Sequence, residues 1–154
     1  MAGRPMGPAA FVVEEEVFAL VIALEIQKAV RLQYPVSLLA ILPKPEVGAE
    51  MGATRPLAEQ LSQVIRATIR GTDLIGVSRR SPALQVLLVD AAFEHLPAVA
   101  QRVSDEVRRH RFRLNGGSES VRLAIGAACF PTTATSLDEL RAQAEARARE
   151  GEGR

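Results

Sequence analysis

Between Pro35 and Pro43 runs Val36-Ser37-Leu38-Leu39-Ala40-Ile41-Leu42, apolar at every position but Ser37. A strand-length run without polar alternation leaves no face for water, so it fits a central strand covered on both sides. Pro43, Pro45 and Gly48 then break it. With 154 residues and 47% hydrophobic content, the chain is long enough for one domain with a continuous core.

Around that strand the hydrophobic period alternates. From about Val13 to Gln33 no proline or glycine intervenes and charges recur among apolar positions, which predicts a helix ended by Tyr34-Pro35. Its middle, Val17 to Leu24, is apolar on more than one side, as in a helix held between a core and a second surface, so a homodimer or protein-partner contact is expected there. Leu57, Leu61, Val64, Ile65, Thr68 and Ile69 predict a second helix that ends at Arg70-Gly71. Asp73 to Val77 and Leu84 to Val89 read as strands, with Ser78 to Ala83 as the hairpin loop. Leu96, Val99, Val103 and Val107 mark a third helix closing in Arg108-Arg109-His110-Arg111, a solvated end whose charge complements the macrodipole. His95 and His110 lie at different ends of that helix and read as surface residues, not a metal pair. A turn at Asn115-Gly116-Gly117, a strand from Val121 to Phe130 and a last helix capped by Ser136 complete the order. Without the terminal helices this is βαββαβ, an α+β fold with a ferredoxin-like core, a pattern that serves many functions and names none.

Residues 1–12, with Gly3, Pro5, Gly7 and Pro8, read as a flexible N-terminus, 13–150 as the domain and 151–154 as a flexible tail. Nineteen basic against eighteen acidic residues leave a formal charge of +1, which gives no global reason to bind a nucleic-acid backbone. The longest apolar segment, Val17 to Leu24, is far short of the roughly 20 residues of a membrane span. The single cysteine, Cys129, sits in the apolar run Ala127-Ala128-Cys129-Phe130 and reads as a buried, inert thiol. With no internal disulfide possible and no secretory signal, a reducing cytoplasm is the expected location.

Short segments in order along the chain resemble GGDEF domains, the catalytic modules of diguanylate cyclases. Glu25 through Leu39, with basic residues followed by Pro35-Val36-Ser37-Leu38, is similar to that family's first helix and strand. Arg70-Gly71-Thr72-Asp73 resembles its Arg-x-x-Asp, Val121 to Ala128 its Val-Thr-Val-Ser-Ile-Gly-Val-Ala strand, and Leu137-Asp138-Glu139-Leu140 the opening of its last helix. Order and spacing carry the resemblance, which covers about Phe18 to Arg149.

The departures bear on function. In an active member the resemblance implies an Asp-x-Asp pattern at the end of the first strand, which helps hold two magnesium ions; aligned on Pro35 and Ser37, those positions are Leu42 and Lys44. Magnesium requires oxygen ligands and phosphoryl transfer needs the metal to neutralise the triphosphate, and neither side chain supplies a ligand. The Gly-Gly-Asp-Glu-Phe signature falls on Arg79-Arg80-Ser81-Pro82-Ala83, within one residue. Its glycines would permit positive φ and close approach to a nucleotide, and its acidic residue would bind metal. The Asp-x-Leu-Thr-Gly-Leu turn before the first helix and the Asn-Asp pair after the first strand are missing too. Gly116-Gly117-Ser118-Glu119-Ser120 looks like a decayed signature but follows the third helix, so it reads as a turn.

What the resemblance implies is a degenerate, non-enzymatic relative without metal or cofactor, a regulatory module in cyclic di-GMP signalling. In the family, Arg-x-x-Asp is the inhibitory site for that product, and the implied ligand residues are Arg70, Asp73 and an arginine of the third helix, Arg102. A guanidinium can donate to O6 and N7 of guanine and a carboxylate can accept from its N1 and N2. The same residues also fit a structural role: a cation at a helix C-terminus, and an aspartate bonding nearby backbone. The alternative function is a purely structural dimerisation or protein-docking domain with no nucleotide ligand.

Overall fold

A computed structural model describes residues 9–45, 54–114 and 116–152. Most of the positions expected in the flexible N-terminus, together with Gly48, Asn115 and the end of the tail, lie outside them. The elements are strand β1 (Phe11–Glu14), helix α1 (Glu15–Leu32), β2 (Val36–Pro45), α2 (Thr54–Arg66), β3 (Leu74–Val77), β4 (Leu84–Val89), a short 3-10 turn (Phe93–His95), α3 (Leu96–Arg109), β5 (Phe112–Leu114), β6 (Gly117–Glu119), β7 (Val121–Phe130) and α4 (Leu137–Glu152).

The main sheet has the order β1-β3-β4-β2-β7. Its four antiparallel members, β3-β4-β2-β7, have the ferredoxin-like arrangement, and β1 is added in parallel beside β3. Strand β2 is the centre, bonded to β4 on one edge and β7 on the other. Its side chains alternate between two covered faces, as the unbroken apolar run requires. Leu39 and Ile41 point to a layer built by Leu57, Leu61 and Ile65 of α2 and Val103 and Val107 of α3. Val36, Leu38 and Ala40 point to the opposite layer, with Phe18 and Ile22 of α1 and Leu140, Ala144 and Ala148 of α4. Ser37 is fully buried, and its hydroxyl donates to the carbonyl of Ala91 at 3.0 Å, which is how a polar residue fits the run.

Several expectations need correcting. The first helix begins at Glu15, and Phe11–Glu14, which includes positions expected in the flexible lead-in and the helix start, pairs with β3 from Leu74 to Val77. The second helix stops at Arg66; Thr68 closes a turn, its hydroxyl donating to the carbonyl of Ile65 at 2.7 Å. Arg70 is therefore not a helix end. The expected Gly116-Gly117 turn belongs to a β5–β6 hairpin, with Phe112 opposite Glu119. Cys129 is buried, as expected. Among the described residues no helix is long and apolar enough to cross a membrane.

Local locks join helices to the sheet. Glu25 of α1, only 7% exposed, accepts a hydrogen bond from the Tyr34 hydroxyl and pairs with Lys28 at 3.0 Å. Desolvation, then the hydrogen bond to Glu25 and the nearby carboxylates, push the Tyr34 phenol up to about 12 from its ordinary 10.0. In the same layer, α4 crosses β7 so closely that a Cβ on Gly126 would lie 2.0 Å from the Ala144 carbonyl oxygen and 2.3 Å from the Ala148 nitrogen.

Gly126→Ala is expected to destabilise the domain by about 3 kcal/mol, since helix backbone and not a flexible side chain must move; urea denaturation checks this. The phenol binds its proton more tightly in the folded state, so its contribution is complete below pH 10 and fades as pH rises towards 12. Tyr34→Phe should remove that part of the alkaline loss, seen as a wild-type minus variant stability difference that falls over this range.

Candidate functional site

The β2–β4 pairing decides what faces the end of β2. Ile41 lies opposite Leu84, so the loop that precedes β4 sits beside Leu42. The end of β2 and the β3–β4 loop, the two stretches that the resemblance marks as metal-holding, thus meet around a cleft of about 230 Å3 lined by Leu42, Ser81, Ala83 and Gln85 with Glu145 and Arg149 of α4. Leu42 packs against the α1–α4 layer. The Lys44 ammonium donates to the Gly151 carbonyl at 3.0 Å, near the C-terminus of α4, where cations are favoured.

The hairpin loop is held by its own serines. The Ser78 hydroxyl accepts from the Arg80 backbone N–H and the Ser81 hydroxyl from that of Ala83, each at 3.1 Å. Arg79 reaches Glu14 at 3.7 Å, tying the loop to β1, while Arg80 is exposed. None of residues 79–83 has a positive φ. The loop therefore lacks the backbone shape that glycines would allow as well as the acidic side chain. Among the described residues, Glu145 is the one carboxylate lining the cleft. No cluster of three or more His, Cys, Asp or Glu side chains able to hold a metal occurs among the described residues.

At the other end of β3 and β4, Arg70, Asp73 and Arg102 line one cleft of about 150 Å3. Asp73 is 3% exposed, and both its oxygens are engaged: Oδ2 accepts from the Arg70 backbone N–H at 2.9 Å and Oδ1 from that of Val89 at 3.0 Å. This carboxylate closes the turn before β3 and fastens it to the end of β4. The Arg70 guanidinium folds back over it, with Nε 3.6 Å from Oδ2 and another nitrogen donating to the Val89 carbonyl at 2.5 Å. Arg102 donates from Nε to the Thr68 carbonyl at 3.1 Å, clasping α3 to the end of the α2 turn.

Asp90 and His95 line the same cleft; from sequence, Asp90 carries no role and His95 only that of a surface residue. Asp90 follows β4 directly, with φ of 57° and its N–H on the Pro35 carbonyl at 2.9 Å. A polar residue in the left-handed region at a strand end is not visible without the neighbouring Pro35. His95, Val99 and Arg102 recur at helical spacing, and that period was the available signal for His95. Both histidines are exposed, as expected; His110, beyond α3, lies edge-on to Phe112 at 4.6 Å. Gly116 to Ser120 lies in the β5–β6 hairpin and its exit, remote in topology from the β3–β4 loop.

No family profile matches the sequence, and no curated protein is significantly similar to it. Solved structures do match. The GGDEF domain of FimX from Pseudomonas aeruginosa superposes with a TM-score of 0.77 at 21% identity, over 90% of this chain and 87% of that one. The GGDEF domain of TpbB (YfiN) from the same organism gives 0.78 at 18% identity, over 92% and 85%. The coiled coil and GGDEF domain of DgcB from Caulobacter crescentus, solved with cyclic di-GMP, gives 0.68 at 9% identity, over 91% and 76%. The chain has the fold of GGDEF domains, and at these identities the likeness is one of fold.

Asp73→Ala would strand two backbone N–H groups and should cost about 3 kcal/mol, whereas Arg70→Ala, which removes an exposed guanidinium, should stay within about 1 kcal/mol. Thermal denaturation of the two variants checks the order.

Proposed function

We propose that this chain is a non-catalytic GGDEF-like regulatory module in cyclic di-GMP signalling, and that it binds cyclic di-GMP in the Arg70–Asp73–Arg102 cleft. The observation that carries the non-catalytic part is the juxtaposition of Leu42 with a loop of Arg79, Arg80, Ser81, Pro82 and Ala83. A divalent ion needs several oxygen ligands there, and among the described residues the cleft offers one carboxylate, Glu145 of α4. In an active member of the resembled family this is where charge on the triphosphate is neutralised; here the end of β2 and the facing loop contribute Leu42, Arg79, Arg80, Ser81, Pro82 and Ala83, none of them a carboxylate.

Cyclic di-GMP is supported by chemistry and by fold. The cleft holds a guanidinium pair for phosphate and the Hoogsteen edge of guanine, and a carboxylate for N1 and N2. A DgcB structure of the same fold contains that nucleotide. At about 150 Å3 the cleft is below the roughly 300 Å3 of small-molecule pockets, so it fits part of the dinucleotide. For a guanine to reach Asp73, the Arg70 side chain must leave the Val89 carbonyl. The side chain is 57% exposed, so that rotation gives up the hydrogen bond to Val89 and little packing.

Isothermal titration with cyclic di-GMP tests the reading. Saturable binding that Arg70→Ala weakens by about tenfold or more, and that Arg102→Ala also weakens, is expected. No heat at high micromolar ligand, or affinity unchanged in Arg70→Ala, contradicts it. Because Asp73 also closes the β3 turn, Asp73→Asn is informative only with its fold checked.

A further inference from the structure

The outer face of α1 differs in kind from those of the other helices. α2 and α3 turn Glu59, Gln63, Gln101 and Arg108 to solvent, whereas α1 exposes Val17 (46%), Leu20 (75%) and Leu24 (57%). These three continue into Gln27 and Arg31 at alternating spacings of three and four residues, all exposed, on the side opposite Phe18, Ile22 and Ala29. That spacing is a helix-pairing seam of two heptads.

We propose that this seam pairs with the same seam of a second copy of the chain, with the two α1 helices antiparallel about a two-fold axis near residues 22–24. Charge decides both the occupant and the direction. The seam begins beside exposed Glu16 and ends in exposed Arg31, with Lys28, which also pairs with Glu25, at its flank and leucines between. An antiparallel copy sets each acidic end beside a basic end and packs leucine on leucine at the centre. A parallel copy would set glutamate against glutamate and arginine against arginine, with the exposed acidic and basic ends about 18 Å apart along the helix. The patch is thus complementary to itself under a two-fold operation, the property an isologous interface needs. Neither the Arg70 cleft nor the β2–hairpin cleft includes these exposed seam residues, so this association is independent of nucleotide.

Sedimentation equilibrium of the full chain without nucleotide should give twice the monomer mass at about 100 micromolar. Leu20→Glu with Leu24→Glu should weaken association about a hundredfold and leave the circular-dichroism melt of the dilute, dissociated chain unchanged, because both side chains are in water in the single chain. Glu16→Lys should weaken it, and adding Arg31→Glu in the same chain should restore it. The native cysteine is buried, so introduced cysteines report geometry: Glu16→Cys mixed with Arg31→Cys should cross-link, and Glu16→Cys alone should not. A monomer at that concentration, an assembly that survives the leucine substitutions, or self-cross-linking of Glu16→Cys would overturn the proposal.

Discussion

Strand β2 is bonded along both edges and covered on both faces, and most other features follow from that confinement. A strand so placed must be apolar on both sides, which removes any freedom in its pairing: a slip of one residue would exchange the α2–α3 face for the α1–α4 face. The register then fixes Ile41 opposite Leu84 and Ile125. Through those pairs the end of β2, the β3–β4 loop and the close crossing of α4 over Gly126 are set in one place. The chemistry available there is therefore a direct consequence of which residues happen to follow Ile41 and precede Leu84.

Those residues are used for structure. Lys44 fastens β2 to the C-terminal end of α4, the loop serines bond the loop's own backbone, and Arg79 ties the loop to β1. At the opposite end of the same hairpin, Asp73 is equally committed to backbone, yet its partner Arg70 and the nearby Arg102 reach solvent. The two ends of the β3–β4 hairpin thus differ: Leu42 and an arginine- and serine-containing loop meet at one, and two exposed arginines stand beside a buried carboxylate at the other.

The central strand, the four helices, the β3–β4 hairpin and the burial of Cys129 were legible because each is a long or strongly patterned segment. Strand β1 was not, since Phe11–Glu14 runs without a break into α1 and becomes a strand only through its parallel pairing with distant Leu74–Val77. The end of α2 was read too late because Ile69 packs on the core from a turn, and an apolar residue at helical spacing looks the same either way. β5 and β6 are three residues each, too short for any period to show. At the candidate site, the three expected residues do share a cleft, but the burial of Asp73 by two backbone N–H groups, and the arrival of Asp90, depend on β4 and Pro35 and lie beyond a reading of local sequence.

The central claim is that the end of β2 and the facing loop cannot assemble the metals that activate a nucleoside triphosphate. Incubation of the purified chain with GTP and magnesium or manganese, followed by chromatography of the nucleotides, tests it most directly. The account predicts no cyclic di-GMP above the level of a control without protein. Product formed in proportion to protein, and lost when Glu145 is replaced by glutamine, would contradict it.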